Sequence, residues 1–137
     1  METWKFEKTN GLDESSIRRN HANDCSVRSL ALVINKPYDD VWNCLESLGR
    51  KTGKGFHLQK YLKKHGEIMG SKFKYHVFFA EAGQPRMRYG KFCSEFSTGR
   101  FLIREAGHFS TVIDGVQKDK AKSYDTRCIY ACFELVS

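Results

Sequence analysis

Cys25 lies in "NHANDCSVRSLALVIN" (20–35), directly after Asn23 and Asp24 and directly before Val27, Leu30, Ala31 and Ile34, which recur at helical spacing. A thiol is a strong nucleophile only as its thiolate. The start of a helix, with unpaired N–H groups and partial positive charge, promotes that form, and a neighbouring imidazole completes the activation by taking the proton. The chain has His21, His57, His65, His76 and His108, and only His108 stands where the pattern also supplies an orienting acid. It opens "HFSTVI" (108–113), which Asp114-Gly115, a strong two-residue hairpin signal, joins to "VQKDK" (116–120). With that turn Ile113 pairs with Val116, and counting back sets Ser110 opposite Asp119. Side chains alternate along strands, so Asp119 is a diagonal neighbour of His108, roughly 7–8 Å away. Asp114 is about 20 Å from His108 at ~3.3 Å per residue. The arithmetic selects Asp119 to hold the imidazole and leaves Asp114 to the turn.

Each residue also has an inert reading. Cysteine is commonly buried as packing, a histidine beside a glycine is commonly structural, and Asp119 in "QKDK" reads as a surface charge with little packing to lose. The conjunction is what points to chemistry: cysteine at a helix start, histidine on a later strand, acid across a hairpin. Cys128 and Cys132 share one face of the last strand as filler, and this single loose pair makes no zinc site.

The elements that must position these residues are legible in outline. A helix over 25–35 is expected, capped by Asn23 or Asp24 and ended by Lys36-Pro37. A second runs from Tyr38 to a stop at Gly49, with Asp39 and Asp40 in its first turn and Val41, Trp42, Leu45 and Leu48 apolar. A third covers 56–65 with Leu58, Tyr61 and Leu62. Between them "GRKTGKG" (49–55) is no phosphate-binding loop: its glycine spacing is too short, glycine follows Lys54, and it joins two helices. "FKYHVFFA" (73–80) reads as a strand, Phe92, Cys93 and Phe96 as a short helix, and 100–106, 108–113, 116–120 and 127–136 as strands. The fold class is α+β: N-terminal helices, the central one headed by Cys25, packed on a C-terminal antiparallel sheet. The chain shows no repeat, low-complexity segment or linker, so 1–137 reads as a single domain.

Composition sets the outer bounds. A chain of 137 residues buries roughly two-thirds of its unfolded surface. Five cysteines, an odd number without a CxxC pair, do not form a disulfide framework and fit a reducing cytoplasm. No run approaches the ~20 apolar residues of a membrane span, and "METWKFEKTNGLDESSIRR" lacks the apolar core of a signal peptide. The net charge is +7, and between Gly49 and Gly66 stand Arg50, Lys51, Lys54, Lys60, Lys63 and Lys64 without an acid. That stretch is a solvated face or meets an acidic surface on a protein or peptide partner. A nucleic-acid partner is not expected, since zinc-finger, helix-turn-helix and RNP patterns are all missing.

"NDCSVRSLAL" followed by "GRFLIREAGHFSTVIDGVQKD" resembles the papain-like cysteine peptidase superfamily, in particular its small bacterial and bacteriophage branch related to bacteriocin-processing (double-glycine) peptidases. The resemblance spans about residues 20 to 120. It implies that Cys25 heads the central helix as nucleophile, that His108 is general base and acid, and that Asp119 orients it, with no metal or organic cofactor. In one respect the chain departs from the family, which places a glutamine about six residues before the cysteine to help bind the oxyanion. Here that position is Arg19, and Asn20 and Asn23 are the amides nearby. Asn20, nearer the place, or Asn23 would serve beside the Cys25 N–H. Losing such a donor costs on the order of 10²–10³ in rate. The expected activity is a peptidase or isopeptidase acting on a protein substrate. The same triad also suits a deamidase or acyl transferase, and a basic non-catalytic binding protein, such as a viral inhibitor of a host factor, could use the same fold. An intact Cys-His-Asp set favours the enzyme; the displaced amide favours the binder.

Overall fold

The computed structural model describes residues 4–9, 23–51, 54–80, 82–83, 86–124 and 127–137. The apolar pattern after Cys25 forms helix α1, Cys25–Ile34, in which every residue from Ser26 onward is buried. It ends at Asn35, whose left-handed backbone (φ 54°) turns its N–H back to the carbonyls of Ala31 and Leu32. Helix α2, Tyr38–Ser47, starts behind Pro37, carries Asp39 and Asp40 in its first turn, and buries Tyr38, Val41, Trp42 and Leu45. Helix α3, Leu58–His65, starts two residues later than its apolar pattern suggests and stops at Gly66 (φ 71°).

Among the described residues seven strands make one sheet. They are β1 (Lys5–Lys8), β2 (Glu67–Ile68), β3 (Ser71–Val77), β4 (Arg100–Glu105), β5 (His108–Ile113), β6 (Val116–Asp119) and β7 (Ile129–Leu135), in the order β1-β6-β5-β4-β7-β3-β2. Helix α4, Tyr89–Glu95, lies between β3 and β4 in sequence. The wholly antiparallel sheet expected from sequence is corrected on one point: β1 pairs with β6 in parallel, Lys5 beside Val116 through Lys8 beside Asp119. Parallel neighbours need a long crossover, and here everything from α1 to β5 lies between them. β3 begins two residues before its expected start and ends at Val77, beyond which Phe78 still donates its N–H to the Tyr130 carbonyl and Phe79 is exposed, and β7 is shorter than expected at both ends.

Alternation along the central strands divides the core in two. Leu102, Phe109 and Phe133 face α1, α2 and α3, whereas Phe101, Ile103, Val112 and Cys132 pack with Tyr89, Phe92 and Cys93 of α4 on the other side. Polar contacts fix α1 against the sheet. Thr111 Oγ1 donates to the Ser29 carbonyl at 2.9 Å. Arg100 donates to the Val33 and Leu32 carbonyls at 2.8 and 2.6 Å, placing its positive charge at the helix C-terminus. The β5–β6 turn has Asp114 at φ 49° and Gly115 at φ 77°, the two positive values of a type I′ turn. Its ladder pairs Ile113 with Val116 and Thr111 with Lys118.

A candidate cysteine–histidine–aspartate site

Cys25 is the first residue of α1, and Asp24, one of the two expected caps, stands at the N-cap position but makes no side-chain hydrogen bond to the helix. Asp24 is otherwise engaged: its carboxylate takes the Tyr38 hydroxyl at 2.8 Å and the Arg28 guanidinium one turn along. Asn23 has a left-handed backbone (φ 55°), and its carbonyl accepts from Arg50 Nη2 at 3.3 Å. Arg50 is itself buried, with its guanidinium 4.5 Å above the Trp42 ring, so this member of the basic stretch is not part of a solvated face. Side chains from α1, α2 and the loop after α2 therefore hold the entry to α1 in place, while the positive end of the helix stays beside the thiol.

The hairpin brings the other two residues to that end. His108 Nε2 lies 2.6 Å from Asp119 Oδ2, which leaves Nδ1 as the ring nitrogen that can meet the thiol, and Cys25 is close enough to His108 and to the Phe109 N–H for both to pull its pKa down. Asp119 also accepts from the Lys120 N–H at 2.7 Å, and Arg28 Nη2 stands 3.7 Å from its Oδ1. Asp119 is 6% exposed, which corrects the surface-charge reading. Strand alternation buries Gln117 and Asp119 and leaves Val116 and Lys118 half-buried. Lys118 meets Glu7 at 3.0 Å instead. Asp114 stays at the turn, where its Oδ1 accepts from the Gly99 N–H at 2.9 Å.

The electrostatics follow from these contacts. Burial pushes the Cys25 thiol up, but the hydrogen bond to His108 and the Phe109 N–H outweigh it, and the net movement is downward. Burial likewise disfavours imidazolium at His108, yet Asp119 and the Cys25 thiolate raise it to about 10. Asp119 is held below its ordinary value, burial being overcome by His108, the Lys120 N–H and Arg28. Both shifts favour a thiolate–imidazolium pair over the neutral pair. Cys44, Cys93 and Cys132 move the opposite way through burial, Cys93 to about 11 and Cys132 to about 12.

Among the remaining histidines, His76 pairs with Glu134 at 2.9 Å and His65 packs on Tyr61 with ring centres 4.4 Å apart. His57 precedes α3. His21, Arg19 and Asn20 lie outside the described residues. Sequence reasoning missed Asp24, Arg28, Tyr38 and Arg50, although an acid and an arginine four residues apart at a helix start is a readable sign. It also overlooked Glu105, which pairs directly with His108 across β4–β5. The buried Glu105 carboxylate is taken by Tyr89 and Ser123 and lies 3.4 Å from Arg127 Nε, so it does not compete with Asp119.

Cys25 opens onto a groove of about 830 Å³. Ser26, Phe109 and Arg104 line it beside the thiol, and the segment running into α3 lines the rest. Among the described residues no group of three or more His, Cys, Asp or Glu side chains is placed to hold a metal ion, and no helix is long and apolar enough to cross a membrane. Compared with protein-family models, with curated proteins and with solved structures, the chain matches none.

Proposed function

We propose that this protein is a papain-like thiol hydrolase, a peptidase or isopeptidase that acts on a protein substrate. One observation carries the reading: Cys25, His108 and Asp119, far apart in sequence, meet at the start of α1, with the thiol lowered and the imidazole raised. The Cys25 thiolate adds to the substrate carbonyl carbon. As the tetrahedral adduct collapses, the His108 imidazolium gives its proton to the leaving amine, and a thioester remains on Cys25. Neutral His108 then takes a proton from water, whose hydroxide displaces the thiolate and releases the acid. Asp119 keeps Nδ1 aimed at the thiol throughout. The Cys25 N–H at the helix start, with Asn20 or Asn23, would hold the oxyanion. A deamidase or acyl transferase uses the same acyl-enzyme and differs only in leaving group or acceptor. Arg19, where the family has its glutamine, is the feature that favours a non-catalytic binder.

The acyl-enzyme is the test. With p-nitrophenyl acetate, a burst of nitrophenolate is expected together with an acetyl group on Cys25 that disappears with time. Cys25→Ala abolishes the burst, and His108→Ala slows both phases. An acetyl-Cys25 that never turns over would reject the hydrolase in favour of the binding protein.

A further inference from the structure

The groove over Cys25 has a charge pattern that packing does not require. Lys54, Lys60, Lys63, Lys64 and Arg104 line it together with His57, and among the described residues no acidic side chain does. The four lysines are exposed, and none of the five cations is in an ion pair with a described residue. Lys63 and Lys64 fall in the last turn of α3, where cations suit the helix dipole. Lys54 and Lys60 do not fit that explanation. Lys54 stands outside the helix, four residues before its first, and Lys60 falls in the first turn, which holds no acid, so Lys60 opposes the dipole. Lys63 also lies 5.5 Å from the Tyr75 ring centre, whereas Lys54 and Lys60 have no ion-pair partner among the described residues and are available to a ligand. A second observation points the same way: the Ser26 hydroxyl, on the groove wall next to Cys25, is buried (1% exposed) and unpartnered.

Resting on the reading of Cys25 as nucleophile, we infer that the substrate is acidic, an extended peptide segment rich in Asp or Glu that lies along α3 and runs over the thiol. At about 830 Å³ the groove is near the top of the roughly 300–1,000 Å³ range of ligand pockets and takes several residues. Concave walls of one sign raise the local concentration of the opposite charge. A nucleic acid suits it less well, because single strands bind by stacking bases on free aromatic faces. Here Phe56 is packed against Tyr61 (ring centres 6.3 Å apart), and the Phe109 ring is covered by Arg104 at 4.9 Å.

Two readouts on one set of proteins test this. Fluorescence anisotropy with a labelled decapeptide of alternating glutamate and glycine measures binding, and protection of Cys25 from iodoacetamide locates it. The lysine–glycine decapeptide and a decameric oligothymidylate are the comparisons, and Lys60→Gln/Lys63→Gln/Lys64→Gln, changed only at exposed positions, is the variant. The acidic peptide should bind, shield Cys25, and weaken roughly twofold to fivefold for each lysine removed, with a similar loss in high salt. The basic peptide should do none of this. Equal affinity for both peptides, affinity unchanged in the variant, or binding that leaves Cys25 unshielded would overturn the inference, as would protection by oligothymidylate alone. A Cys25 that resists iodoacetamide without any ligand would instead reject the nucleophile reading, while anisotropy still reports whether the groove prefers acid.

Discussion

At the scale of single residues, what distinguishes Asp119 is how completely its carboxylate is engaged. Sequence placed it correctly across the hairpin from His108 but gave it little packing to lose, because flanking lysines suggest solvent. Alternation puts those lysines and the aspartate on opposite faces, and only the aspartate turns inward. Hydrogen bonds that involve a charged group contribute roughly 1.5–3 kcal/mol, and removing the carboxylate also leaves Arg28 with one partner fewer. Asp119→Ala is therefore expected to lower stability by about 1.5–3 kcal/mol in urea unfolding and to slow Cys25 alkylation at neutral pH. Asp119→Asn, whose carbonyl can still accept from Nε2–H, should lose less of both. An alanine variant equal to wild type in stability and reactivity would remove Asp119 from the site. The contacts of Asp24 were not legible in the same way. Whether such a residue caps its helix depends on competitors, and Tyr38 reaches it only once α2 has packed against α1.

At the scale of elements, legibility followed range. Helix α1 and the β5–β6 hairpin announce themselves over a few residues, through 3.6-residue spacing and an Asp-Gly turn. Strand β1 does not: "KFEK" has one apolar residue, and its partner Val116–Asp119 lies at the far end of the chain. The two-residue β2 is too short for any periodicity. The hairpin matters most to the site, because its register brings Asp119 rather than Asp114 to His108. Asp114 supplies positive φ and accepts from the Gly99 N–H, so Asp114→Ala should lower the melting temperature by an amount equivalent to about 1 kcal/mol and leave alkylation of Cys25 nearly unchanged. Asp114→Asn, a residue that tolerates the left-handed region, should retain most of the stability. If Asp114→Ala folds normally and loses Cys25 reactivity, the two acids have exchanged roles.

At the scale of the whole molecule, the sheet brings together parts of the chain that have no local reason to meet. Helix α1 lies on β4 and β5, β6 closes beside β5, and the loop after α2 clamps the entry to α1, so the thiol, imidazole and carboxylate converge where these elements end. The basic groove forms at the same place from α3, far from the hairpin in sequence; only its charge, and not its position over Cys25, was legible beforehand. The central claim is that this convergence favours the Cys25 thiolate. A group whose pKa is lowered carries its charge above that value and loses it as pH falls through it, so the alkylation rate must rise with pH earlier than for an ordinary thiol. The direct measurement is the rate of iodoacetamide modification of Cys25 against pH, with the site identified by peptide mapping, in wild type and His108→Ala. Wild-type Cys25 should react ahead of Cys44, Cys93 and Cys132, its rate rising at lower pH than theirs, and the His108→Ala curve should move toward the roughly 8.5 of a free thiol. Superimposable curves for the two proteins, or a wild-type Cys25 that titrates like a free thiol, would contradict the account.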